Sequence, residues 1–123
     1  MVWDPSRITR RSWPEVVTFY RDLEDRNPDF QPLRELAEQV SARPYAASLS
    51  VATSGTALLV TPASVAILPG PAAAMEALRM DIDMGGSVRL VMPGAGVKPT
   101  VVEGPIVAAF EHALKGTGWI ARS

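Results

Sequence analysis

Cysteine is absent from the 123-residue chain. That excludes a disulfide framework, a thiolate metal centre and a cysteine nucleophile, and it suits a cytoplasmic protein. Histidine occurs once, at His112, so any base chemistry near neutral pH would rest on one side chain. No apolar stretch approaches the roughly 18 residues needed to cross a bilayer. Trp3, Asp4 and the arginines at 7, 10 and 11 stand where a secretory leader would carry its apolar run, so neither a membrane span nor a leader is expected. Charge of one sign is also lacking, since 12 basic and 13 acidic residues leave a net charge of -1. No global field draws the chain to polyanions, and nucleic acid is not an expected partner. Arg7, Arg10 and Arg11 with Trp3 and Trp13 could grip phosphates, but Asp4 and Glu15 dilute their charge. Residues 1–12 are therefore read as an irregular N-terminal arm.

The most informative absence is local. Residues 45–75 contain no Asp, Glu, Lys, Arg or His, although 20% of the chain is charged. A stretch without charge belongs to the core, and Ser54-Gly55, Thr61-Pro62-Ala63-Ser64 and Pro69-Gly70-Pro71 cut it into short apolar runs. This is the punctuation of strands and turns. Ala47, Leu49 and Val51 alternate with Ser48, Ser50 and Ala52, which predicts a first strand from residue 46. Ser54-Gly55 turns it back into a second over 56–61, and a third follows over 64–68. Residues 71–76 offer a short helical turn at most.

Period-two alternation then resumes, with Leu78, Met80, Ile82 and Met84 on one face and Arg79, Asp81 and Asp83 on the other, followed by Val88, Leu90 and Met92 around Arg89. A three-residue loop at Gly85-Gly86-Ser87 matches the faces of this hairpin and sets Asp83 opposite Arg89. Residues 93–99 read as an irregular connection.

Helices flank the sheet. Ser12-Trp13-Pro14-Glu15 fits a capping box with proline in the first turn, and Trp13, Val16, Val17, Tyr20 and Leu23 recur at helical spacing up to Arg26-Asn27-Pro28. Asp29 is the expected cap of a second helix carrying Leu33, Leu36, Ala37 and Val40, ended by Arg43-Pro44. After Gly104-Pro105, a last helix presents Ile106, Val107, Phe110, Ala113 and Leu114, with Lys115 at its negative end and Gly116 as its cap. Residues 118–121 form either an edge strand or a tail that packs Trp119. The class is α+β: two N-terminal helices, an antiparallel meander of about five strands, and a C-terminal helix packed on the sheet, in one domain spanning 1–123.

The chemistry-bearing residues have plainer readings. His112 falls at the flank of a helical stripe, where a boundary position accounts for it. Asp81 and Asp83 share a strand face beside glycines, but an EF-hand's other oxygen ligands and closing glutamate are missing. They are read as a solvated face neutralised by Arg79 and Arg89. Gly94-Ala95-Gly96-Val97-Lys98-Pro99 lacks the Gly-Lys-Ser/Thr order of a phosphate loop. There is no G-x-S-x-G elbow, no segment carries a family signature, and no cofactor or metal is expected.

The expected function is a non-enzymatic interaction module. It associates with itself as a homodimer, or with another protein, through the uncharged sheet face of Ser48, Ser50, Ala52 and Leu59 or through a sheet edge. The alternative is a carrier of a small apolar ligand in a cavity between sheet and helices, lined by Met75, Met80, Met84 and Met92.

Overall fold

The computed structural model describes residues 8–64, 76–94 and 97–119. Helix α1 (Trp13–Arg26) begins at the expected capping box: Glu15 N donates to Ser12 Oγ at 3.3 Å and Ser12 N donates to Glu15 Oε1 at 2.9 Å. Accepting the Ser12 amide is the main reason that the Glu15 carboxyl is held below its ordinary value of 4.5. A depressed folded-state value means stability that is present above the ordinary value and lost as pH falls through the folded one. Glu15→Gln keeps an acceptor but cannot titrate. The stability difference between wild type and variant is therefore expected to be largest near neutrality and to vanish in acid, read from urea midpoints across pH.

Helix α1 buries Trp13, Val16 and Tyr20 and stops at Asn27, which is extended at φ -150°. The Asn27 side chain accepts from Asp29 N at 3.1 Å and caps a 3-10 turn, Pro28–Phe30. That turn runs directly into helix α2 (Gln31–Ser41). The expected Asp29 cap is thus corrected: Phe30, already helical, stands at the cap position of α2, and the capping chemistry falls two residues earlier on Asn27. Leu33, Leu36, Ala37 and Val40 are buried as their spacing requires. Arg34 of α2 reaches Glu24 of α1 at 2.7 Å and Arg21 of α1 reaches Glu38 of α2 at 3.0 Å, which ties the two helices together, while Arg34 also pairs within α2 with Glu38 at 3.2 Å. Those arginines, Arg21 first, hold the Glu38 carboxyl below its usual range.

The sheet has six antiparallel strands in sequence order: β1 (Ile8–Arg11), β2 (Leu49–Ser54), β3 (Ala57–Pro62), β4 (Leu78–Ile82), β5 (Val88–Val91) and β6 (Thr100–Val101). Helix α3 (Ile106–Thr117) completes the α+β fold. Part of the expected arm is β1, paired with β2 from Ile8 opposite Ser54 to Arg11 opposite Val51. Arg11 is anchored by its Nε donating to Thr53 Oγ1 at 2.8 Å and by lying 4.4 Å over the Phe19 ring. Residues 46–48 belong to a 3-10 turn, Pro44–Ser48, and not to β2. The third strand expected over 64–68 and the helical turn at 71–76 lie mostly outside the described residues; β3 pairs with β4. Gly118, at φ 75°, caps α3, while Gly116 lies inside the helix.

The β4–β5 hairpin has a three-residue loop, but it is Met84-Gly85-Gly86. Asp81 stands opposite Arg89 and Ile82 opposite Val88. Face matching cannot distinguish registers two residues apart, because side chains repeat with period two. The Asp83 carboxylate decides between them: its Oδ1 accepts from Gly85 N and Ser87 N, both at 2.9 Å, and so starts the turn one residue early. Gly86 then supplies the positive φ of 83°.

All three helices contribute to one apolar cluster with the inner sheet face, which presents Leu49, Val51, Leu58, Val60, Leu78, Met80, Val88 and Leu90. The outer face has its own small cluster, Ala52, Leu59 and Ala77, with Ile8 packed on it. Tyr20, fully buried, donates its hydroxyl to Thr56 O at 3.0 Å, and burial pushes that phenol well above its ordinary value.

Candidate functional site

The residues expected to form a face between copies are separated by the fold. Ala52 and Leu59 are both at 0% exposure within the single chain. The outer face is therefore covered by the chain itself at its centre, although the helices share the other face. Ser48 is exposed in the 3-10 turn and Ser50 is half-buried on β2. The four methionines do not line one cavity. Met80 is sealed in the inner core, Met92 packs at its margin, Met84 is 94% exposed in the hairpin loop, and Met75 lies outside the described residues. Met84 leaves the apolar stripe because the Asp83 turn begins before it.

Asp81, expected on a solvated face, is instead buried. It is held by Arg89 Nε at 3.3 Å and Arg79 Nε at 3.7 Å on the outer face. Asp83 is committed to its turn. His112 lies exposed on α3, and among the described residues no group of three His, Asp or Glu side chains could hold a metal. Tyr45 links the 3-10 turn to α3, its hydroxyl donating to Glu111 Oε2 at 2.7 Å; burial, then this bond, pushes its phenol up. Asp81, Asp83 and Tyr45 thus serve the fold.

Among the described residues, open grooves lie at the two ends of the sheet. At one end, a groove of about 400 Å³ runs between β5, β6 and α3, lined by Leu90, Met92, Val102, Ala109, His112 and Ala113 among others. Strand β6 bounds it. Val102 N donates to Val88 O at 2.8 Å, and Thr100 stands opposite Leu90. Alternate residues of an antiparallel strand turn their backbone groups to opposite sides. Val101 therefore turns its N–H and C=O to the open edge, and the residue is 52% exposed. At the other end β1 carries Arg10 and Arg11, and where the chain leaves β1 for α1 a groove of about 340 Å³ is lined by these arginines with Ser12, Trp13, Leu49, Ser50 and Val51.

Sequence reading did not find β6, because a strand of two residues has no period to detect. Nor did it find either groove; Val97, Val101 and Val102, apolar within a polar connection, were the available signal. Comparison of the chain with protein-family models, curated proteins and solved structures gives no match.

Proposed function

We propose that this chain is a non-enzymatic interaction module that self-associates by pairing the β6 edges of two copies. The observation that carries this reading is the uncharged open edge at Val101, whose backbone donor and acceptor face away from β5. An exposed strand edge is a template for another strand. The opposite edge is guarded, since two-fold pairing of β1 would bring Arg10 and Arg11 of both copies together. A two-fold axis at Val101 sets residue 98 against 104 and 99 against 103, which brings Lys98 of one copy beside Glu103 of the other. Light scattering at tens of micromolar is expected to give twice the chain mass. Val101→Lys, which opposes like charges across the axis, is expected to give a folded monomer whose melting temperature, unlike that of the wild type, does not rise with protein concentration. A monomeric wild type would overturn the reading.

A second reading is favoured by the groove beside β6, whose size falls within the range of small-ligand sites. A small apolar ligand would pack there on Leu90, Ala113 and the adaptable Met92. Ala109→Trp, which fills the groove, is expected to abolish fluorescence enhancement of an apolar naphthalene dye and leave the fold intact; an undiminished signal excludes the groove as the ligand site.

A further inference from the structure

We infer that the open edge of β1 is a docking site for an extended acidic segment of a partner protein, which adds to the sheet as an antiparallel strand with consecutive carboxylates opposite Arg10 and Arg11. The free edge follows from the ladder. Ala63 N donates to Ser48 O, and Pro62, which has no N–H, stands opposite Leu49, so β2 turns the backbone groups of its even-numbered residues to β3 and those of its odd-numbered ones to β1. Thr9 and Arg11, opposite Thr53 and Val51, therefore bond to β2, and Ile8 and Arg10 turn their N–H and C=O away from it. Among the described residues no strand pairs with that side. An unpaired strand edge accepts an added strand. Charge selects which strand. Arg10 is exposed and Arg11 half-buried, β1 has no acidic residue, and among the described residues neither arginine forms an ion pair. The two leave β1 on opposite faces, Arg10 on the outer one with Ala52 and Arg11 on the inner one with Val51. Consecutive residues of an added strand do the same, so one carboxylate lies beside each arginine. The next two residues stand opposite Thr9 and Ile8, which suits a threonine and a β-branched aliphatic side chain. The order along the segment is thus acidic, acidic, polar, apolar. A phosphate backbone accepts hydrogen bonds but has no donor for the C=O groups of Ile8 and Arg10, whereas a strand supplies both donor and acceptor. The inference rests on the reading of the chain as an interaction module and not on β6, which is the opposite edge of the sheet, so its failure would leave self-association untouched.

The anisotropy of a fluorescent, end-capped peptide with Glu-Glu-Thr-Val at its centre, titrated with the full chain up to millimolar concentration, is expected to saturate, and a Lys-Lys-Thr-Val peptide is expected not to bind. Methylating the amide nitrogen of the second Glu, which donates to Arg10 O, removes binding, whereas methylating that of the first Glu, which points away from β1, preserves it. This pair of peptides reads backbone pairing, which contact between charges alone would not require. Arg10→Glu is expected to weaken the Glu-Glu peptide about tenfold, the loss typical of a charge-assisted hydrogen bond, and to gain affinity for a Glu-Lys peptide. A wild type that does not bind the Glu-Glu peptide overturns the inference, whatever the variants do. Equal effects of the two methylations overturn it as well, as does an Arg10→Glu variant with a native amide spectrum that binds as tightly as wild type. Binding of oligothymidylate in place of the peptide would assign the edge to nucleic acid and likewise overturn it.

Discussion

Phe110→Ala is expected to destabilise the chain by about 3–5 kcal/mol, seen as a lower urea midpoint with an unchanged m-value. Phe110 is at 0% exposure in the centre of α3, within the cluster that joins this helix to α2 and to the inner sheet face. Removing the ring takes away its transfer free energy and leaves a cavity. The surroundings cannot close it easily, because Leu33, Leu36 and Leu114 are themselves fully buried and part of the same cluster. A loss below about 1 kcal/mol would mean that α3 does not seat its apolar stripe on this core.

Leu59→Lys is expected to prevent folding altogether, leaving a chain with collapsed amide dispersion and no cooperative melt, while Leu59→Met folds. Leu59 sits at 0% exposure opposite Ala52 on one side and Arg79 on the other, on the outer face. An ammonium placed there loses its hydration and meets a guanidinium as its cross-strand neighbour, a combination beyond the marginal stability of a small domain. Methionine keeps the volume and the apolar character. If this face were open until a second copy covered it, Leu59→Lys would instead be a folded monomer. The variant thus separates cover supplied by the chain itself from cover supplied by assembly.

The absence of charge over residues 45–75 correctly indicates a sheet that is buried on both faces, yet it cannot say whether the second cover belongs to the same molecule. Ala52 and Leu59 illustrate the limit. Their lack of charge is equally consistent with an interface and with an interior, since both exclude water, and composition responds to that exclusion alone. The site residues were less legible than the fold for a related reason. Met75, Met80, Met84 and Met92 share a period-two alternation or lie near it, but period says nothing about where a strand ends. A single Asx turn at Asp83 put Met84 into solvent.

Signals that act within a few residues were sufficient by themselves. The Ser12–Glu15 capping box, the helical stripes of α1, α2 and α3, the Ser54-Gly55 turn and the alternation of β4 and β5 all rest on neighbours close in the chain, where local sterics and hydrogen bonding choose the conformation. Tertiary structure alone decided the rest. Strand β1 contains two arginines and no readable period, and it is a strand because the free edge of β2 pairs its backbone and Thr53 and Phe19 hold Arg11. Strand β6 exists because β5 offers it a partner. The two grooves arise where those edge strands stop, in one case beside α1 and in the other beside α3. Their positions depend on pairings between residues 10 to 46 apart in the chain, such as Leu90 with Thr100 and Ile8 with Ser54. A backbone edge accepts almost any side chain, so no residue at these positions announces the pairing in advance.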